Sequence, residues 1–110
     1  MAQTIFTIKK RQIFEKIREK GRFLKGENLN LQILRDQYLN NSIGIGYTAT
    51  KRIGNAVKRN KAKRIMRELA KKIIRKDKTN TYYVLIAKTS ILEIKFKDLL
   101  EELEKIINVK

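Results

Sequence analysis

The sequence contains no cysteine, no histidine and no proline. Without cysteine there are no disulfides, no thiolate metal sites and no thiol nucleophile. Without histidine the commonest general base and the commonest metal ligand are missing. A Ser-His-Asp hydrolase and a zinc-water hydrolase are therefore excluded. The lack of proline reads as compositional drift and excludes nothing. Acidic residues are scarce: 11 Asp+Glu stand against 27 Lys+Arg, a formal net charge of +16 over 110 residues. No stretch approaches the ~18 consecutive apolar residues of a membrane span. Residues 1–10 hold neither a long apolar run nor a small-residue cleavage site. The expectation is a cytoplasmic protein with no membrane partner and a polyanionic one.

What is present points to a folded chain. Hydrophobic residues make up 42%, close to the globular norm, so the charge is no mark of disorder. The length suits one domain, and no Pro/Gly/Ser-rich linker or internal repeat divides it, so residues 1–110 are expected to form a single domain. The charge is unevenly spread. Residues 1–50 carry nine basic against four acidic groups, a net +5. Residues 51–78 carry thirteen against two, a net +11, and residues 79–110 balance at five each.

Hydrophobic periodicity supplies the elements. Ile13, Phe14 and Ile17 recur at helical spacing between Lys9 and Lys20, with Gly21 as a stop. Leu29 to Leu34 and Ser42 to Thr50 alternate as strands, and Asn40-Asn41 between them suits a turn because Asn tolerates positive φ. The expectation is an antiparallel hairpin. Ala56 to Lys76 reads as a long helix capped by Asn55 after Gly54, with Ala62, Met66, Leu69, Ala70 and Ile73 on one face. Thr81 to Ala87 is continuously apolar and β-prone, hence a buried strand. Phe96, Leu99, Leu100, Leu103, Ile106 and Ile107 line an amphipathic closing helix. A sheet with helices packed over it follows.

On the long helix Asn60, Arg64, Arg67, Lys71 and Arg75 form one stripe opposite the apolar face, flanked by Lys63. Lys58, Arg59 and Lys61 crowd its first turns. The Arg fork matches phosphate oxygens bidentately, and Asn60 can donate to a phosphate or read a base edge. A solvated helix face interleaves both signs, whereas only Glu68 interrupts the run from Lys51 to Lys76. Nucleic-acid binding is the stronger reading.

The segment from Lys51 to Glu68 closely resembles the signature of the bacterial ribonuclease P protein family: basic, Gly, x, Ala-Val, x, Arg-Asn, x, x, Lys-Arg, x, x, Arg-Glu. The order of the other elements is similar over nearly the whole chain. The resemblance implies an α+β fold: a two-layer α/β sandwich with a small mixed sheet, three helices and a left-handed βαβ crossover, ribosomal-protein-like. It implies partnership with the catalytic RNA of ribonuclease P, one protein per RNA, and with precursor tRNA. That RNA removes the 5′ leader using Mg²⁺ bound mainly by itself, while the protein assists substrate binding and metal affinity. No catalytic residue, metal ligand or organic cofactor is expected in the chain. Arg59, Asn60, Lys63, Arg64 and Arg67 match the family's basic signature, and Lys51 and Arg52 match the basic pair before it. Lys58 and Lys71 join the expected RNA-binding set through their places on the helix. Lys61 stands where the family usually has Arg; it keeps the charge and loses the fork.

The resemblance also implies a cleft for the single-stranded leader, lined by aromatics of the first helix and the sheet. Phe14 matches one of them. One turn later this chain offers Ile17 and Arg18 where an aromatic is often found, and Gln32 replaces a further one. Tyr47 and Tyr82 either line the same surface or belong to the core. Stacking on such rings is worth about 1–3 kcal/mol per base, so this cleft is expected to lean more on charge.

The competing readings are a structural rRNA-binding protein, a DNA-binding factor, an RNA-recognition motif and a self-contained nuclease. The basic helix follows a strand rather than a helix-turn, and the aromatic-rich third-strand motif of an RNA-recognition motif is missing. A metal nuclease needs clustered carboxylates. Glu101, Glu102 and Glu104 are the only dense acids, and they fall mainly on the polar face of the closing helix, which reads as solvated surface.

Overall fold

The computed structural model describes residues 4–74 and 79–108. In chain order the elements are β1 (Thr4–Thr7), α1 (Arg11–Lys20), β2 (Arg22–Leu24), β3 (Leu29–Arg35), β4 (Ser42–Thr48), α2 (Ala56–Ile73), β5 (Thr81–Ala87) and α3 (Phe96–Asn108). Short 3-10 turns lie at Gln37–Leu39, Lys51–Ile53 and Thr89–Glu93. The result is α+β, with a five-stranded mixed sheet in the order β1-β4-β5-β3-β2. β1, β4 and β5 run parallel, while β3 and β2 are antiparallel to their neighbours. Helix α2 is the crossover between parallel neighbours β4 and β5.

The expected hairpin between β3 and β4 is not there. Both strands form, and Asn40 and Asn41 do adopt φ of 51° and 64°, but β5 is inserted between them. The cause is β5 itself. Its run TYYVLIA is buried at every position except the half-buried Ile86, and a strand that is apolar on both faces belongs in the middle of a sheet. Asn80 fixes the insertion. Its backbone N–H donates to the Ser42 carbonyl at 2.9 Å, its carbonyl accepts from the Asp36 N–H at 2.9 Å, and its side-chain oxygen accepts from the Asn41 N–H at 2.8 Å. β1 and β2, of four and three residues, are too short to show a period.

Alternation along the strands divides the core in two. Leu29, Leu31, Ile43, Ile45, Tyr83 and Leu85 meet Ala62, Met66, Leu69 and Ala70 of α2 and Leu99, Leu103, Ile106 and Ile107 of α3. On the opposite face Tyr82 and Val84 meet Ile8 and Ile17, with Phe6, Phe14 and Leu34 packed around them. The sheet with α2 and α3 makes the sandwich, and α1 covers part of the second face. Tyr82 is therefore core, set edge-on to Phe6 with ring centroids 6.5 Å apart. The apolar face expected of α2 is as the spacing predicts; its last turn, with Arg75 and Lys76, lies outside the described residues.

Two carboxylates tie elements together. Glu102, expected as solvated surface, instead reaches from α3 to the β2–β3 loop. It accepts from the Asn28 N–H at 2.8 Å, the Asn28 side-chain amide at 2.7 Å and the Leu29 N–H at 3.2 Å. Helical periodicity placed it at the polar face and could not show that a loop folds against that face.

Asp36 caps the Gln37–Leu39 turn, accepting from the Tyr38 N–H at 2.9 Å and from Lys16 Nζ at 3.0 Å. The backbone hydrogen bond first, and the Lys16 cation next, hold its carboxyl below the ordinary 3.8. Its stabilisation is therefore complete above that ordinary value and is lost as pH falls through the lower folded one. The urea-midpoint gap between the wild type and Asp36→Asn is expected to be widest near neutral pH and to close in acid below 3.8. A gap that stays constant through the acid range would show that the carboxylate charge contributes nothing.

Candidate nucleic-acid interface

Helix α2 begins where Gly54, at φ 135° and ψ −150°, turns the chain through a conformation that side chains disfavour. Asn55 then caps the helix, its side-chain oxygen accepting from the Lys58 N–H at 3.0 Å. The first turn holds no acidic residue, although the helix dipole favours anions there. Lys58, Arg59 and Lys61 thus sit where the helix gains least from cations, which points to a partner rather than to stability. Arg59 is half-buried and donates from Nη1 to the Gly54 carbonyl at 2.9 Å. Its guanidinium is thereby oriented at the helix entrance, with further N–H groups left over.

Asn60, Arg64, Arg67 and Lys71 are all exposed along one side of α2. At 1.5 Å per residue the row spans about 16 Å. Among the described residues the only ion pair on this helix joins Lys71 Nζ to Glu68 Oε1 at 4.0 Å, with both side chains more than half exposed. Such a pair neutralises little. Lys51 and Arg52 are exposed on the 3-10 turn before the helix, which the buried Ile53 anchors to the main core.

The stripe leads into a groove. Lys63 reaches off α2 to line an open cavity with Phe14 and Arg18 of α1, Gln32 and Val84 on the sheet, and Tyr47. The Phe14 ring lies directly on Gly46: a Cβ there would stand 2.5 Å from Phe14 Cε1. Glycine at this position is what lets α1 press an aromatic onto the sheet. Tyr47 joins groove to stripe, with the Arg67 guanidinium 5.5 Å from its ring centroid, a cation–π contact. Burial raises the Tyr47 hydroxyl above its ordinary value, against the opposing pull of Arg67, so it remains a neutral donor.

Of the four cleft candidates the fold brings together Phe14, Arg18 and Tyr47. Ile17 is corrected: it is fully buried in the second core cluster and lines no groove. It sits one turn from Phe14, on the stripe of α1 that must face the sheet. Sequence reasoning missed Lys88, which lines a second open groove with Lys51 and Arg52 and donates from Nζ to the Gly26 carbonyl at 2.6 Å. Only strand β5 ending beside the Lys51–Ile53 turn places it there. Among the described residues no group of three or more Asp, Glu, His or Cys is arranged to hold a metal ion. Asp36 and Glu102 are engaged in structural hydrogen bonds, so this donor set does not make a magnesium site. No helix among the described residues is long and apolar enough to cross a membrane.

The Ribonuclease P family model matches residues 4–109. The chain belongs to the ribonuclease P protein family. It is 38% identical over 81 residues to the ribonuclease P protein component of Gluconacetobacter diazotrophicus, covering 73% of this chain and 68% of that one. It is 33% identical over 92 residues to the same component of Alkaliphilus metalliredigens, covering 84% and 81%. The RNase P protein of Staphylococcus aureus shares the fold, with a TM-score of 0.80 at 24% identity over 94% of this chain and 93% of that one. The family signature from Lys51 to Glu68 thus occupies the 3-10 turn, the Asn55 cap and the first three turns of α2. These segments carry the stripe and one wall of the groove.

Proposed function

We propose that this chain is the protein partner of a ribonuclease P RNA, and that it binds both that RNA and the 5′ leader of precursor tRNA. The observation that carries the reading is the continuity of two surfaces. A row of exposed cations on α2 meets, through Lys63 and the Arg67–Tyr47 contact, a groove floored by a sheet and walled by Phe14 and Arg18. Cations alone suit any RNA backbone, whereas an open groove with an aromatic wall suits unpaired bases. Lys51, Arg52, Arg59, Asn60, Arg64 and Arg67 are assigned to phosphates of the catalytic RNA near the cleavage site. Phe14, Arg18 and Tyr47 are assigned to the leader.

In this reading the protein transfers no proton and holds no metal. It lowers the electrostatic cost of bringing two polyanions together and fixes the leader's path, which is binding and positioning. Magnesium is held by phosphates of the RNA partner. One protein acts per RNA, in the cytoplasm. The test is a precursor-tRNA cleavage assay at limiting Mg²⁺, with the RNA alone, the protein alone and both together. Stimulation of the RNA and inactivity of the protein by itself are expected. An RNA that cleaves equally well without the chain would sink the assignment; cleavage by the protein alone would sink the division of labour.

A further inference from the structure

Phe23 has no role in the packing described above. It is 53% exposed on β2 and belongs to neither core cluster. Its Cα partner across the antiparallel ladder is Gln32, and opposed residues in such a ladder project to the same face. Gln32 is paired in turn with Val84, and Val84 with Gly46, the residue beneath the Phe14 ring. Phe23 therefore lies on the same sheet face as the groove floor, one strand beyond Gln32. At the usual strand spacing it stands about 14 Å across the sheet from Gly46. Leu24, the next residue, points to the other face and packs on the main core, so burial explains Leu24 and leaves Phe23 unexplained.

The surroundings are cationic. Arg18 forms the wall of the groove nearest β2 in sequence, and Lys20, Arg22 and Lys25 are exposed around the strand. A three-residue edge strand flanked by cations is poorly suited to pairing with another copy of the chain. An exposed ring in a cationic groove is suited to a nucleobase, whose π-face stacks while its phosphates are neutralised.

We infer that Phe23 is a stacking platform for an unpaired base of the leader, extending the groove from Phe14 and Gln32 to the β2 edge. This rests on the reading of the groove as the leader path. Because Phe23 lies at the far end from Lys63, it meets only nucleotides distant from the cleavage site, and its contribution appears only once a leader is long enough to reach β2.

The experiment uses the holoenzyme, reconstituted with the catalytic RNA, and precursor tRNAs carrying leaders of increasing length. Phe23→Ala is expected to cost about tenfold in affinity for the longest leaders. It leaves the shortest leader, mature tRNA and affinity for the catalytic RNA unchanged. Phe23→Leu behaves like Phe23→Ala, and Phe23→Trp retains affinity. The chain has no Trp, so Phe23→Trp also adds a single reporter whose emission is quenched by long leaders and not by the shortest. Full affinity with Leu, unchanged Trp emission, or an equal loss for all leader lengths would each overturn the inference. So would concentration-dependent self-association that Phe23→Ala abolishes. A wild-type holoenzyme that fails to distinguish leader-bearing from mature tRNA would instead overturn the leader reading itself.

Discussion

Replacing Arg64 and Arg67 together with alanine is expected to weaken association with the catalytic RNA by about a hundredfold or more. A hydrogen bond to a charged group is worth about 1.5–3 kcal/mol, so two lost guanidinium–phosphate contacts amount to about 3 kcal/mol or more, two powers of ten. The salt dependence identifies the cause. If about five phosphates are neutralised, log K falls with log[salt] at a slope near −3.5 to −4.5, and two lost contacts make it shallower by about 1.4–1.8. Folding is affected little, because both side chains are exposed. Only the Arg67–Tyr47 contact is lost, worth about 0.5–1 kcal/mol at an exposed site. An unchanged slope would remove both guanidinia from the interface. A large drop in melting temperature would move the effect from binding to folding.

Replacing Glu102 with alanine is expected to destabilise the fold by about 2–4 kcal/mol, since an unsatisfied buried donor costs about 1–3 kcal/mol. The carboxylate accepts from both the Asn28 and Leu29 N–H groups, and Leu29 is fully buried. The same Asn28 side chain accepts from Ser90 Oγ at 2.6 Å, so one deletion loosens α3, the β2–β3 loop and the Thr89–Glu93 turn together. For a domain of this size the thermal midpoint falls by about 10 °C or more. Glu102→Gln keeps one acceptor and is expected to lose roughly half as much. Calorimetry on the two variants, with hydrogen exchange at Asn28 and Leu29, reads the result. A loss below about 0.5 kcal/mol, the range of ordinary surface substitutions, would return Glu102 to the solvated face. The β2–β3 loop also sets the register that places Phe23 opposite Gln32, so stability and the leader path share this anchor.

Much of the molecule was legible in one dimension. Helical spacing marked the buried faces of α2 and α3, and Asn55 and Gly21 marked helix ends. The continuous apolar run of β5 announced a strand buried on both sides. These are local properties: a residue's period, its φ preference and its capping chemistry depend on a few neighbours. The basic stripe was legible for the same reason, because every fourth or third residue of a helix shares a face.

Strand neighbours were not legible. Alternation in β3 and β4 assigned each residue to a face without saying which strand lies beside it, and the nearest in sequence was the wrong partner. The same limit hid the cleft's true lining. Ile17 and Arg18 are adjacent in sequence, yet one is core and the other wall, which depends on where α1 crosses the sheet. Glu102 and Phe23 owe their significance entirely to contacts or registers across long sequence separations.

The sequence by itself determined that this protein is a small α+β chain with a polycationic helix, that it brings no thiol or imidazole chemistry, and that its likeness is to ribonuclease P proteins. These follow from composition, periodicity and one gapless motif. Only the tertiary structure decided that the cations and the aromatic groove form one continuous surface. That continuity depends on β5 separating β3 from β4, on glycine at position 46 admitting Phe14, and on β2 carrying Phe23 to the edge of the groove's floor. Each is a contact between distant segments, made by packing and invisible to any local pattern.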